Sequence, residues 1–262
     1  MAHRAPARPQ PGRGAAALMQ RDLPVPASAL AIAAHPDDVE FGAGATLAKW
    51  AATGCVVHHL VCTDGSKGTW DPDPDLAALV AQRQEEQRAA AKALGATGEV
   101  VFLGWPDGEL DAGVRQRWQV AYWIRRLTPE VVLGHDPWKR YRLHPDHRHA
   151  GFLTVDGVVA ARDPHFFPEQ AIAHHRPSAL LLFEADEPDH VEAVGEAEVE
   201  RKLAALESHR SQLVSTMHID ASSPDHDAQR EAFRARVRDR LAEHGALAGV
   251  PLGEAFKAIT KL

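Results

Sequence analysis

From residue 29 the chain alternates short apolar runs with longer amphipathic ones. "ALAIAA" (29–34) is apolar throughout and has the length of a buried strand. "CVVHHLVCT" (55–63), "EVVFLGW" (99–105), "EVVLGH" (130–135) and "SALLLFEA" (178–185) predict four more strands, and "EAFKAIT" (254–260) a last one. Helices are predicted over 46–53, 76–94, 114–127, about 146–161, 196–208 and 227–244. Gly54 and Gly95 stand where helix C-caps are wanted, and the helix over 114–127 stops before Pro129. Strands alternating with helices predict an α/β, Rossmann-like fold, a mostly parallel sheet with helices on both faces. We expect one domain over 27–262 and a flexible N-terminal tail over 1–26, where Arg, Pro, Ala and Gly dominate.

The polar residues that interrupt this pattern cluster at 35–40, 64–71, 104–109 and 135–147, each after a predicted strand. In parallel sheets ligands bind beyond the carboxyl ends of the strands, so the active site is expected at that edge.

Composition narrows the function classes. The 262 residues are 45% hydrophobic and 25% charged, as in soluble globular proteins. The formal charge of −7 offers no basic stripe for nucleic acid. No run is long enough to span a membrane, and residues 1–26 lack the apolar core of a secretory signal. Cys55 and Cys62 read as reduced core thiols, and with them a cytoplasmic location. Histidine is over-represented at 16 residues, with His135, His144, His147 and His149 within 15 positions.

"AHPDDVEFG" places His35 and Asp38 three apart in a turn after the first strand, near enough to bind one ion together. Asp37 would lie beside that ion without binding it, as a general base does. The third ligand must come from elsewhere, and "HPDH" (144–147) offers two histidines. Read alone, Asp37 and Asp38 also suit a helix N-cap with a solvated neighbour.

These residues resemble the LmbE-like, or PIG-L, family of zinc-dependent deacetylases, whose known members act on N-acetylglucosaminyl conjugates. "AHPDDVEFG" followed about 110 residues later by "HPDH" carries the resemblance. "TDGSKGTW", "RQEEQRAAAKALG", "FLGWPDGEL", "VVLGHDPW", "KLAALESHRSQ" and "EAFKAI" support it. The resemblance implies one Zn²⁺ per chain, or another divalent metal, held by His35, Asp38 and His147, with Asp37 as base. It implies His144 at the carbonyl oxygen, Asp146 orienting a histidine, and Arg83 and Asp107 gripping the sugar. The implied partner is a small amino-sugar conjugate; neither nucleic acid nor membrane is expected, and a homo-oligomer is allowed.

Some relatives carry a tyrosine two residues before the first histidine of this motif; here Arg142 stands there and Tyr141 one residue further back. Tyr141 is retained as a substrate-binding candidate. Arg83 has an alternative as a helix-surface partner of Glu86, and Asp107 as a turn residue. Glu40 reads as structural; Trp70 and Trp138 suit either sugar stacking or packing; His58, His59 and His149 read as off the metal. Three rival readings fit the sequence less well. A dinucleotide site on "GAGATL" lacks its third glycine, Leu47 standing there. A phosphoacceptor leaves "HPDH" unexplained, and an inactive sugar-binding member sits poorly with a full residue set. Within the family, a thiol-conjugate amidase shares the same residues.

Overall fold

Eight strands form one sheet in this computed structural model, which describes residues 19–262. In chain order they are β1 (Gln20–Arg21), β2 (Ser28–Ala33), β3 (Val56–Thr63), β4 (Val100–Trp105), β5 (Val131–His135), β6 (Ala179–Phe183), β7 (His190–Ala193) and β8 (Gly253–Ile259). The helices are α1 (Asp38–Ala52), α2 (Leu76–Leu94), α3 (Val114–Leu127), α4 (Pro145–Arg162), α5 (Glu196–Glu207) and α6 (His226–Ala246). The spatial order is β1-β7-β8-β6-β5-β2-β3-β4. All pairings are parallel except those of β8, which runs antiparallel to β6 and β7.

The alternation along β2 divides the core. Ala29, Ala31 and Ala33 face a layer with Leu47 and Trp50 of α1 and Leu94 of α2. Leu30 and Ile32 face the other side, against Val120 and Ile124 of α3 and Leu153 of α4. Both faces are covered, which is why the strand reads as an unbroken apolar run. A third cluster joins α5 and α6 through Leu203, Leu206, Phe233 and Leu241.

Helix α1 begins at Asp38, eight residues before the start expected from apolar periodicity. The missed turns hold Gly42 and Gly44, which weaken a helical pattern. Close packing explains them: a β-carbon at Gly42 would lie 2.5 Å from the Phe183 ring, and one at Gly44 3.2 Å from Lys202. The glycines of "GAGATL" therefore admit neighbouring side chains. Strand β7 was not anticipated, because "HVEA" is short and polar. Its His190 and Glu192 are buried by pairing with each other, and Glu192 also binds Lys49. Residues 1–18 of the expected tail lie outside the described residues; its end, Gln20–Arg21, pairs with β7.

Two of the supporting sequence stretches meet in the core. Lys202 of α5 and Glu254 of β8 form a buried ion pair at 2.6 Å. Glu254 also accepts the backbone N–H groups of Ala45 and Thr46, and Lys202 donates to the Phe41 carbonyl. Removing one partner strands a buried charge. Lys202→Met is expected to lower unfolding free energy by about 3 kcal/mol, measured by urea denaturation; a loss under about 1 kcal/mol would mean that water reaches Glu254.

Candidate active site

Strand β2 pairs with β3 on one side and β5 on the other, so the chain direction of the crossovers reverses beside it. The carboxyl ends of β2 and β5 thus border the crevice where α/β sheets hold ligands. His35 follows β2, His135 ends β5, Glu184 follows β6, and Asp107 follows β4.

The turn from β2 into α1 is strained. Asp37 occupies the N-cap position with φ 109°, and its side chain caps no helix amide. A non-glycine residue there costs roughly 1–3 kcal/mol and persists only when its surroundings hold it. Gln87 accepts the Asp37 N–H at 3.0 Å while donating to the buried Glu40 at 2.7 Å. The N-cap alternative therefore fails for Asp37, whose carboxylate is left for other work. Asp38 accepts the backbone N–H of His35 at 2.8 Å instead of serving the helix.

Three side chains converge. His35 Nδ1 lies 3.2 Å from His147 Nε2. Asp38 Oδ2 lies 3.3 Å from His35 Nδ1, and Asp38 Oδ1 3.2 Å from His147 Nε2. Two imidazoles and a carboxylate form the usual three-ligand set of a catalytic zinc site. The opposite nitrogen of His35 faces Asp107 at 3.1 Å and Asp146 at 3.2 Å. Those carboxylates fix the ring proton on Nε2 and leave the Nδ1 lone pair towards the convergence point, as metal-bound histidines require. The residues present fit a divalent ion. Among the described residues two further groups share this spacing, His35 with His144 and Asp146, and His135 with His147 and Glu184.

Asp146 is fully buried and accepts the N–H groups of Gly108 and Leu110, so it fastens the loop after β4 as well as His35. His144 caps α4, its Nδ1 accepting the Asp146 N–H at 3.3 Å. In the neutral ring the proton must then sit on Nε2. Burial, with His35 and His147 nearby, holds His144 below its ordinary pKa and favours that neutral form. Burial pushes Asp37 up to about 6, against the pull of Arg83.

A cleft of about 470 Å³ opens over these groups, lined by His35, Asp37, Asp38, His144, His147, Arg83, Asp107, Lys67, Phe41, Gln212, Thr216 and Glu184 among others. Arg83 lines it but is buried, donating to the carbonyls of Gly65 and Pro36 at 2.8 and 2.7 Å and lying 3.5 Å from Asp37. A β-carbon at Gly68 would lie 2.1 Å from its guanidinium, so any larger residue there would displace Arg83. Arg83 is no surface partner of Glu86, which instead accepts from Ser211 and Gln82. Asp107 is more than a turn residue, since its carboxylate binds His35 and the Lys67 N–H.

Tyr141 departs from expectation. It is 87% exposed and absent from the cleft wall. Its backbone is left-handed, φ 60°, and the neighbouring Arg142 is buried and donates to Glu184. Trp70 and Trp138 are also exposed and away from the cleft. Glu40 is fully buried, 3.4 Å from His209 and 3.8 Å from His59, with no contact to solvent. His149 binds the Leu110 carbonyl, and His58 accepts the Glu99 N–H.

Sequence reasoning gave no role to His135, Arg142 or Glu184. His135 Nε2 contacts Asp38 at 3.2 Å, and Glu184 binds Arg142 at 2.7 Å. Burial opposes ionisation of Glu184, but His135 and Arg142 hold it well below the ordinary carboxylate range. The histidine closing "VVLGH" was the available signal for the first; nothing marked Glu184. Both cysteines are buried and unpaired, and no helix among the described residues is long and apolar enough to cross a membrane.

Comparison with known proteins places the chain among de-N-acetylases. A diacetylchitobiose deacetylase from Thermococcus kodakarensis is 36% identical over 186 residues, 70% of this chain and 69% of that protein. A 1D-myo-inositol 2-acetamido-2-deoxy-alpha-D-glucopyranoside deacetylase from Streptomyces avermitilis is 35% identical over 166 residues; the aligned part is 53% of this chain and about half (55%) of that protein. The solved structure of N,N'-diacetylchitobiose deacetylase from Pyrococcus horikoshii superposes with a TM-score of 0.78 at 29% identity, covering 90% of this chain and 84% of that one. The family model for PIG-L, GlcNAc-PI de-N-acetylase, matches residues 30–158, from β2 through most of α4 and hence every convergent residue except Glu184. This chain belongs to the PIG-L family of de-N-acetylases.

Proposed function

We propose that this chain hydrolyses the N-acetyl group of an N-acetylglucosaminyl-type substrate, releasing acetate and a free amine, with a zinc ion held by His35, Asp38 and His147. The carrying observation is the convergence of two imidazoles and one carboxylate beneath a cleft, beside the Asp37 carboxylate, which caps no helix amide. When bound, the ion supplies Lewis acidity to the amide carbonyl and acidifies water towards a pKa of about 7.

The protein's own groups do the rest. Asp37 takes the proton of the attacking water; with a pKa near 6 it is mostly ionised at neutral pH. Arg83 stands behind it and opposes the effect of burial, favouring the charged form. His144 presents Nε2–H to the cleft, where it donates to the oxygen that becomes negative as the carbonyl carbon turns tetrahedral. The proton gathered by Asp37 then serves the departing amine. Lys67, Asp107 and the neighbouring amides border the space for sugar hydroxyls.

The deciding experiment is acetate release across a panel of N-acetylglucosaminyl conjugates, with bound metal quantified. An active preparation free of metal would overturn the reading. His144→Ala is expected to lower kcat about 10²–10³-fold with a smaller change in KM, as loss of an oxyanion donor does. A change confined to KM would make His144 a binding residue only.

A further inference from the structure

We propose that the guanidinium of Arg142 occupies a second cation-binding position, formed by His135, Glu184 and the far nitrogen of His147, and thereby restricts the centre to one metal ion. This inference rests on the metal-centre reading above.

The three groups have the chemistry of a zinc site, two imidazoles and a carboxylate, with ligand atoms all within 4.8 Å of one another. A positive nitrogen already sits among them. Arg142 Nη1 lies 2.7 Å from Glu184 Oε2, 3.3 Å from His135 Nδ1 and 3.3 Å from His147 Nδ1. One nitrogen thus lies within 3.3 Å of one carboxylate oxygen and two imidazole nitrogens, whereas arginine ordinarily spreads its planar fork over two parallel bonds. The residue is buried, and its Nε and Nη2 find no hydrogen-bond partner among the described residues. An arginine placed for fork recognition would not leave two nitrogens idle.

The surroundings are shaped to this point. The rings of His135 and His147 stack with centroids 4.5 Å apart and planes 12° apart, and both present Nδ1 to Arg142. Glu184 adopts a left-handed backbone, φ 58°, and its carboxylate meets the same nitrogen. Arg148 donates to the Arg142 carbonyl and anchors the loop. His147 faces the first position through Nε2 and the second through Nδ1, so a single ring separates the two. A tethered guanidinium is always charged and cannot diffuse away. It satisfies the second ligand set with one positive charge where a divalent ion would bring two.

The test is zinc stoichiometry. The full chain is equilibrated with graded excess zinc, freed of loose metal and analysed for zinc per chain. Wild type is expected to hold close to one. Arg142→Met, similar in bulk but uncharged, should rise towards two, and Arg142→Lys should stay near one because its ammonium keeps the charge. Adding Glu184→Gln to Arg142→Met should return the count to near one. A count of one in Arg142→Met at every zinc concentration would overturn the inference, as would a second zinc that survives Glu184→Gln. Should Arg142→Met fail to fold, Arg142→Gln is read by the same criteria. Wild type with one zinc beside a variant with one rejects only this proposal; wild type with none rejects the metal-centre reading too.

Discussion

Asp37→Asn should retain its metal and lose about 10²–10⁴-fold in kcat, the range supplied by a positioned general base. Asparagine has the same shape and cannot take the proton. It also tolerates a left-handed backbone better than most residues, so the strained turn at φ 109° should survive the change. The backbone N–H bond to Gln87 does not depend on the side chain. Folding and metal content therefore act as internal controls, and turnover within a few-fold of wild type would remove Asp37 from the chemistry. The pH profile gives a second check. A carboxylate base works above its pKa and fails as pH falls through it. The wild-type rate should therefore drop on an acid limb at or below pH 6, because a bound cation adds to Arg83 in holding the carboxylate ionised.

His147→Ala should abolish stable metal retention. It removes one of three convergent donors and leaves His35 Nδ1 and Asp38 as a pair. Changes to groups that merely support ligands cost about 10–100-fold in affinity, so loss of a donor atom should exceed that. Competition with a chromogenic chelator measures the loss directly, without reference to activity. Affinity equal to wild type would assign the third donor elsewhere, with His144 the neighbour to examine. Ion uptake must also displace protons, since Asp107, Asp146 and Asp38 outweigh burial and hold His35 well above its ordinary pKa in the ion-free protein.

The elements legible in the sequence were those with a dominant local signal. Strands β2, β5 and β6 are apolar because both sheet faces are covered, and α2 and α3 carry their own stops at Gly95 and Pro129. The start of α1 was illegible because Gly42 answers to Phe183, more than a hundred residues away. Strand β7 was illegible because its buried polar side chains pair only after folding. The candidate site divides in the same way. His35, Asp37, Asp38 and "HPDH" announce themselves by residue type and spacing, and the fold brings them together. The offset of Tyr141 from the motif position was legible, but its exposure and the burial of Arg142 were not, since both depend on Glu184 and the histidines that meet Arg142. Glu184 follows an apolar strand and carries no motif; only the neighbouring β5 gives it meaning.

The antiparallel β8 has a consequence for the order of assembly. It lies between β6 and β7, so β7, and β1 beyond it, can join the sheet only through a strand that follows them both in sequence. The half of the sheet bearing the candidate site, from β6 across to β4, can pair from segments made earlier. A nascent chain would therefore hold Lys202 without Glu254 until β8 arrives, with one flank of β6 open meanwhile. Such long-range closure slows folding and leaves a strand edge available to other chains. Until β8 arrives, Ala45 N–H and Thr46 N–H also lack the Glu254 carboxylate that accepts them in the finished sheet.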